Sequence, residues 1–286
     1  MRRRSLAPGA EPRFDAARVG SRRVAFGTPM PHFAANLTLM FGEWDFLDRF
    51  AAAADAGFDA VEILFPYDVA PDELARLLNA NRLTPALFNM PCGDYAKGER
   101  GLAVFPERRA EFRASVDRAL DYAQATGVKR LHMLAGIAPS SSSPAEASFC
   151  DSVREAAEKL HARGVELMLE PLNPRGSPGY FLNDFDQTER IIRDLALPNV
   201  KLQFDVYHCQ IVHGDVTIRL RAQAPLIGHV QISSVPDRQE PDSGELNDSY
   251  VLAELERLGY AGFVGCEYRP RAGTIEGLGW MEKWKK

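Results

Sequence analysis

The stretch VELMLEPLN, Val165–Asn173, reads as a short apolar strand that ends on a carboxylate. Leu167, Met168 and Leu169 run straight into Glu170, and Pro171 stops the strand just after it. A glutamate at the end of a buried strand is costly unless something neutralises it. For one isolated strand, a salt bridge to Lys or Arg would be explanation enough. The pattern recurs, however. KLQFD (Lys201–Asp205), HVQI (His229–Ile232) and FVGCE (Phe263–Glu267) are three more short strands, and they bring Asp205, Gln231 and Glu267 to or near their ends. Four oxygen-bearing side chains on four successive strand ends read as one cation site.

Working outward, the chain repeats a strand-then-helix unit from Pro31 onward. His32–Leu37 is the first strand, and Trp44–Ala56 is a helix with Phe46, Phe50 and Ala53 at helical spacing, closed by Gly57. Asp59–Leu64 is a strand, and Pro71–Asn81 a helix with proline at its start. Strand Thr84–Asn89 leads into a long loop, Met90–Pro106, carrying Gly93, Gly98 and Gly101; loops of that length are usually functional or mobile. Helix Glu107–Thr126, strand Arg130–Ala135 and helix Ala145–Arg163 lead to the opening stretch. Beyond it come helix Asp184–Leu195, the KLQFD strand, a helix over Asp215–Ala224, strand Leu226–Ile232, the polar loop Ser233–Asn247, helix Ser249–Leu258 and the last strand.

Eight strands alternating with helices predict an α/β chain folded as a single (β/α)8 TIM barrel over residues 30–286. The alternative is an open doubly wound sheet. That fold usually has a glycine-rich phosphate turn after its first strand, and no GxGxxG or P-loop occurs here. In a barrel the C-terminal strand ends converge on one mouth. The polar residues there would be Asn36, Glu62, Asn89, His132, Glu170, Asp205, Gln231 and Glu267.

Composition narrows the function classes. The chain is 45% hydrophobic and 26% charged, ordinary for a globular protein. No run approaches the roughly 18 apolar residues that span a bilayer, so no membrane partner is expected. Met1–Pro29 holds seven Arg against Glu11 and Asp15, which leaves the rest of a chain of net charge −5 near −10. An acidic body argues against nucleic acid as a partner. The arm itself has neither apolar periodicity nor the apolar core of a signal peptide, so residues 1–29 are expected to be a basic, disordered extension. Cys92, Cys150, Cys209 and Cys266 form no CxxC, which fits free thiols in a reducing cytoplasm.

Three carboxylates and an amide oxygen are hard ligands, suited to Mg2+ or Mn2+. A cation holding two adjacent oxygens of a hydroxy-ketone acidifies the C–H between them. Glu170 and Glu267, on opposite sides of such an ion, could each move a proton with a free oxygen. His208, three residues past Asp205 on the loop beyond that strand, points at the same mouth, or is a capping or core histidine. Arg238, in PDRQEP, could clamp a substrate carboxylate in bidentate fashion, or is a solvated surface residue. His132, Asn89 and Glu62 are further candidates for the substrate wall, although a strand histidine is more often a satisfied core group, and Glu62 could equally pair with a cation. Cys266 should face away from the mouth, because strand neighbours alternate.

FAANLTLMFGEWDFLDRFAAAADAGFDAVEILFPYD, FNMPCGDYAKGERGLA, LEPLN, QFDVYH, HVQISSVPDRQEPDSGELN and GCEYRPR resemble the hydroxypyruvate isomerase family. That family includes the 2-oxo-tetronate isomerases and belongs to the xylose isomerase-like TIM barrels. The resemblance runs from about Pro31 to Trp280 and implies that relatives begin near Met30. It implies Glu170 and Glu267 as paired proton donor/acceptors, and the same two with Asp205 and Gln231 as metal ligands. It also implies a short oxo-acid substrate of three or four carbons, and is compatible with a homo-oligomer. A ketose 3-epimerase would use the same glutamates but usually has His where Gln231 stands. A non-catalytic sugar-acid binding protein would be expected to have lost one of the four ligands, and a barrel endonuclease would want a His-rich zinc cluster.

Overall fold

The structure is a computed structural model that describes residues 31–284, so the basic, disordered extension expected over residues 1–29 lies outside the described residues. The strands are β1 His32–Asn36, β2 Ala60–Ile63, β3 Thr84–Asn89, β4 Arg130–His132, β5 Glu166–Leu169, β6 Val200–Asp205, β7 Ile227–Ile232 and β8 Phe263–Cys266. Each pairs in parallel with the next, and β1 pairs with β8, closing the sheet into a barrel. That closure excludes the doubly wound alternative. The helices are α1 Arg49–Asp55, α2 Pro71–Ala80, α3 Arg109–Thr126, α4 Ser143–His161, α5 Phe185–Leu195, α6 Val206–Val212, α7 Val216–Gln223 and α8 Asp248–Arg257.

Local chemistry sets the helix ends. Pro71 starts α2, where its missing N–H costs nothing. The Ser142, Asp184 and Asn247 side chains accept backbone N–H bonds at the starts of α4, α5 and α8. Gly127 ends α3 in the left-handed region, at φ 78°. Two expectations change. The helix expected at Trp44–Ala56 is a 3-10 turn, Phe46–Asp48, followed by the short α1. The segment after β6 is α6 rather than a loop, because Asp205 caps it by accepting the Tyr207 N–H at 2.8 Å.

The barrel has two apolar layers. Outward-facing strand residues such as Val61, Leu167, Leu202, Phe204, Val230, Val264 and Cys266 pack with Phe50, Leu74, Phe112, Phe149 and Ile191 of the helices. Inside the barrel, Ala34, Ala60 and Ala86 form a separate small cluster with Phe263 packed against it. Above that cluster the interior becomes polar, because the same alternation that points Ala34 and Ala60 inward also points Asn36 and Glu62 inward.

Candidate active site

The C-terminal ends of β2 to β8 and the loops beyond them surround a cavity of about 270 Å3. Asn89, His132, Glu170, Gln203, His208, Arg238 and Glu267 line it. Glu170 and Glu267 lie one residue past β5 and β8, where each strand has just released the chain. Asp205 ends β6, one Oδ1 capping α6 and the Oδ2 turned to Arg238. One Arg238 nitrogen donates to Asp205 Oδ2 at 3.3 Å and to Glu267 Oε1 at 2.6 Å. The guanidinium also stacks over the Tyr207 ring, 4.9 Å from its centre. The expectation of a fork standing free for a substrate carboxylate is corrected: Arg238 lies on the cavity wall, but two carboxylates hold it.

Burial makes these carboxyls hard to ionise. Desolvation raises Glu170 well above the usual carboxylate range, and the nearby charges of Glu267 and Asp205 raise it further. Desolvation also raises Asp205, and it pushes Glu267 up to about 8, in both cases against the lowering effect of Arg238. Glu170 Oε1 is buried with no hydrogen-bond donor. An acceptor with no donor, facing two more carboxylates, fits a cation. The ligand atoms of Glu170, Asp205 and His208 lie within 4.8 Å of one another, so this cluster could hold a metal ion.

His208 sits in the first turn of α6, not on a loop. Its Nδ1 accepts the Asn173 backbone N–H at 2.8 Å, so in the neutral ring the proton is on Nε2. Burial keeps the ring neutral, its pKa well below the ordinary histidine value. The Nε2–H lies 3.5 Å from Asp205 Oδ2 and 3.9 Å from Glu170 Oε1, so in this tautomer His208 turns its proton to the two carboxylates and would have to give it up to join them as a metal ligand. His132 is protonated on its other nitrogen: Nδ1 lies 3.1 Å from the Asn89 amide oxygen and 3.5 Å from Glu170 Oε2. Its buried Nε2 has no partner, and desolvation holds its pKa at about 3.

Gln231 stands in register beside Asp205 on β7. Its amide oxygen accepts from Gln203 at 2.6 Å, and its amide nitrogen donates to Glu62 Oε2 at 2.9 Å. The oxygen keeps a second lone pair. Glu62 is corrected as a cavity-wall residue. It lies fully buried inside the barrel, bonded to His229, Gln231 and Asn36, and does not line the cavity. Its carboxyl lies over Gly265 of β8, where a Cβ would overlap it. Because Glu62 is pinned by three partners it has little room to yield. Gly265→Ala is therefore expected to cost about 1–3 kcal/mol by overpacking, read as a lower thermal unfolding midpoint.

The sequence of residues 50–284 matches the xylose isomerase-like TIM barrel family. The chain belongs to this family. It is 51% identical to a 2-oxo-tetronate isomerase of Cupriavidus necator over 257 residues, 89% of this chain and 99% of that protein. It is 42% identical to a hydroxypyruvate isomerase of Escherichia coli, over 90% of this chain and all of that protein. Like these relatives, this xylose isomerase-like barrel is an isomerase. A solved structure described as an AP endonuclease, family 2, from Brucella melitensis superposes with a TM-score of 0.88 at 47% identity, covering 90% of this chain and 100% of that one. A D-psicose 3-epimerase structure from Clostridium cellulolyticum H10 shares the fold, with a TM-score of 0.68 at 22% identity, over 89% of this chain and 94% of that one.

Several lining residues of this xylose isomerase-like barrel escaped the sequence reading. Gln203 sits two residues before Asp205 and so on the same face of β6, a period-2 signal that could have found it. His229, two before Gln231, carries the same signal but lies deeper in the barrel, bonded to Glu62 and off the cavity wall. Tyr95, Arg100 and Arg269 come from loops, where no periodicity points to a face. No described helix is long and apolar enough to cross a membrane.

Proposed function

We propose that this isomerase interconverts a short oxo-acid pair by proton transfer through an ene-diolate. The pair is hydroxypyruvate with tartronate semialdehyde, or 2-oxo-tetronate with 3-oxo-tetronate. The observation that carries the reading is the pair of buried carboxyls, Glu170 and Glu267, opening on one cavity with their proton affinities raised above the usual carboxylate range. Groups so tuned can both take and return a proton. The names of the relatives, divided between the two substrates, support either pair.

One glutamate removes the proton from the hydroxyl-bearing carbon. The electron pair forms the carbon–carbon double bond of the ene-diolate, and the same or the other glutamate returns a proton to the former carbonyl carbon. A second proton moves between the two oxygens, and His132 Nε2, an acceptor with no partner, suits a substrate hydroxyl. Glu170, Asp205, Gln231 and Glu267 would hold Mg2+ or Mn2+, a fit supported by the hard oxygen donors and by the orphaned Glu170 oxygen. When bound, such an ion supplies positive charge that polarises the carbonyl and acidifies the adjacent C–H. The His208 Nε2–H faces Asp205 Oδ2 at 3.5 Å and Glu170 Oε1 at 3.9 Å, on the rim of the same carboxylate group.

Parallel turnover of hydroxypyruvate and 2-oxo-tetronate in D2O tests this reading. The expected result is isomerisation of at least one, with deuterium on the carbon that gains hydrogen. Complete retention of the substrate hydrogen, with near-normal rates in both Glu170→Gln and Glu267→Gln, would mean a hydride shift instead. Turnover of neither acid by the metal-loaded protein would sink the proposal.

A further inference from the structure

A short oxo-acid carries a carboxylate that gives up part of its water when it enters a cavity lined by buried carboxyls. Such a group needs an oriented cation, best supplied by a guanidinium. Three arginines line the cavity: Arg100, Arg238 and Arg269. Arg238 is already neutralised by Asp205 and Glu267. Arg269 is exposed, and among the described residues no side-chain hydrogen bond or ion pair orients it. Arg100 differs from both.

The loop between β3 and α3 holds Arg100 firmly. Gly101, next to it, donates its N–H to the Cys92 carbonyl at 3.0 Å and forms a bridge with Ala135 past the end of β4. Its φ of 114° and its close approach to the Leu134 carbonyl leave no room for a Cβ, so the chain is clamped to the barrel there. One Arg100 nitrogen donates to the carbonyls of Tyr95 at 3.1 Å and Glu99 at 2.8 Å. The guanidinium carbon sits over the Tyr95 ring, 3.8 Å from its centre, and that ring packs on Phe65. The neighbouring carboxylate, Glu99, does not neutralise it, because both Glu99 oxygens are taken by Arg108 at 2.6 and 3.1 Å. Arg100 is thus oriented by three contacts and paired with no carboxylate. It also rises from the β3 side of the mouth, across the barrel from the β7 loop that carries Arg238.

We infer that Arg100 is the specificity residue that receives the substrate carboxylate. This inference rests on the oxo-acid reading above. With the carboxylate on the β3 side, the next two carbons, where the proton is exchanged, extend toward Glu170 and Glu267 on the β5–β8 side. Both candidate acids share this end, so Arg100 selects acid over sugar and leaves chain length to the other end of the cavity.

The test is the KM for the oxo-acid and, beside it, the competitive inhibition constant of erythrulose, an uncharged four-carbon ketose. In Arg100→Ala the KM is expected to rise about 100-fold with kcat within about threefold, the loss typical of removing one partner of a desolvated charge pair. The erythrulose constant should move less than threefold. Arg100→Lys, which keeps the charge but not the planar fork, should fall between. An unchanged unfolding midpoint in both variants would separate this loss from damage to the loop. A parent-like KM in Arg100→Ala, an equal loss for acid and ketose, or the full loss in Arg269→Ala instead would overturn the assignment and leave the isomerase reading standing. If the parent protein turns over neither oxo-acid, both fall together.

Discussion

Glu267→Gln is expected to lower kcat about 1,000-fold, within the range that a positioned general acid–base contributes, or roughly 4 kcal/mol of barrier. The amide keeps the shape and an oxygen to face a cation, but it can neither take nor return a proton. Glu170→Gln should lose a similar factor, because its carboxyl opens on the same cavity with its proton affinity raised by the same burial. Asp205→Asn provides the contrast. Asp205 spends one oxygen on the α6 cap and the other on Arg238, so neither is free to reach substrate. Its loss should follow cation affinity and be relieved by excess Mg2+ or Mn2+, whereas the two glutamine variants should stay slow at saturating metal. Steady-state kinetics beside a metal-binding isotherm for each variant distinguishes these outcomes. Near-parent kcat in Glu267→Gln would remove that residue from the proton path.

The second large effect is on stability. In Arg238→Ala the buried carboxylates of Asp205 and Glu267 lose the guanidinium that bridges them. Removing one partner of a buried ion pair costs about 3 kcal/mol or more, which for a domain of this size lowers the unfolding midpoint by roughly 6–12 °C. The cost should depend on pH with a definite sign. Asp205, Glu170 and Glu267 all have folded-state pKa values above their ordinary ones. Above about pH 4 the folded chain therefore holds more protons than the unfolded chain, and these groups lower its stability as pH rises. Arg238 lowers all three. Its removal raises them further, so the deficit should be small near pH 4 and largest at pH 8. Thermal unfolding in chelator at both pH values measures it, and saturating Mg2+ should recover part of the loss at pH 8. A flat deficit across that range would assign the effect to lost packing on Tyr207 instead.

Much of this protein is legible in one dimension. The repeat of short apolar strands and capped helices specifies the barrel, since strand and helix periodicities and cap residues are properties of neighbouring positions. The recurrence of a carboxylate or amide at four strand ends marks Glu170, Asp205, Gln231 and Glu267, because in a closed parallel sheet every such end meets the same mouth. The α6 helix is not legible in the sequence, because VYHCQIV is rich in β-branched and aromatic residues and its start depends on Asp205, which reads first as the end of a strand. What only the tertiary structure decides is which side chain each polar group meets. Glu62 turns from the cavity to His229, 167 positions away, and fills the space that Gly265 leaves. His208 takes its tautomer from the backbone of Asn173, 35 positions away. Arg238 is neutralised by two carboxylates, while Arg100, on an aperiodic loop, stays oriented and unpaired. A charge's partner depends on rotamers and on loops meeting across the barrel mouth. These are many weak contacts between segments distant in the chain, and no spacing along the sequence encodes them.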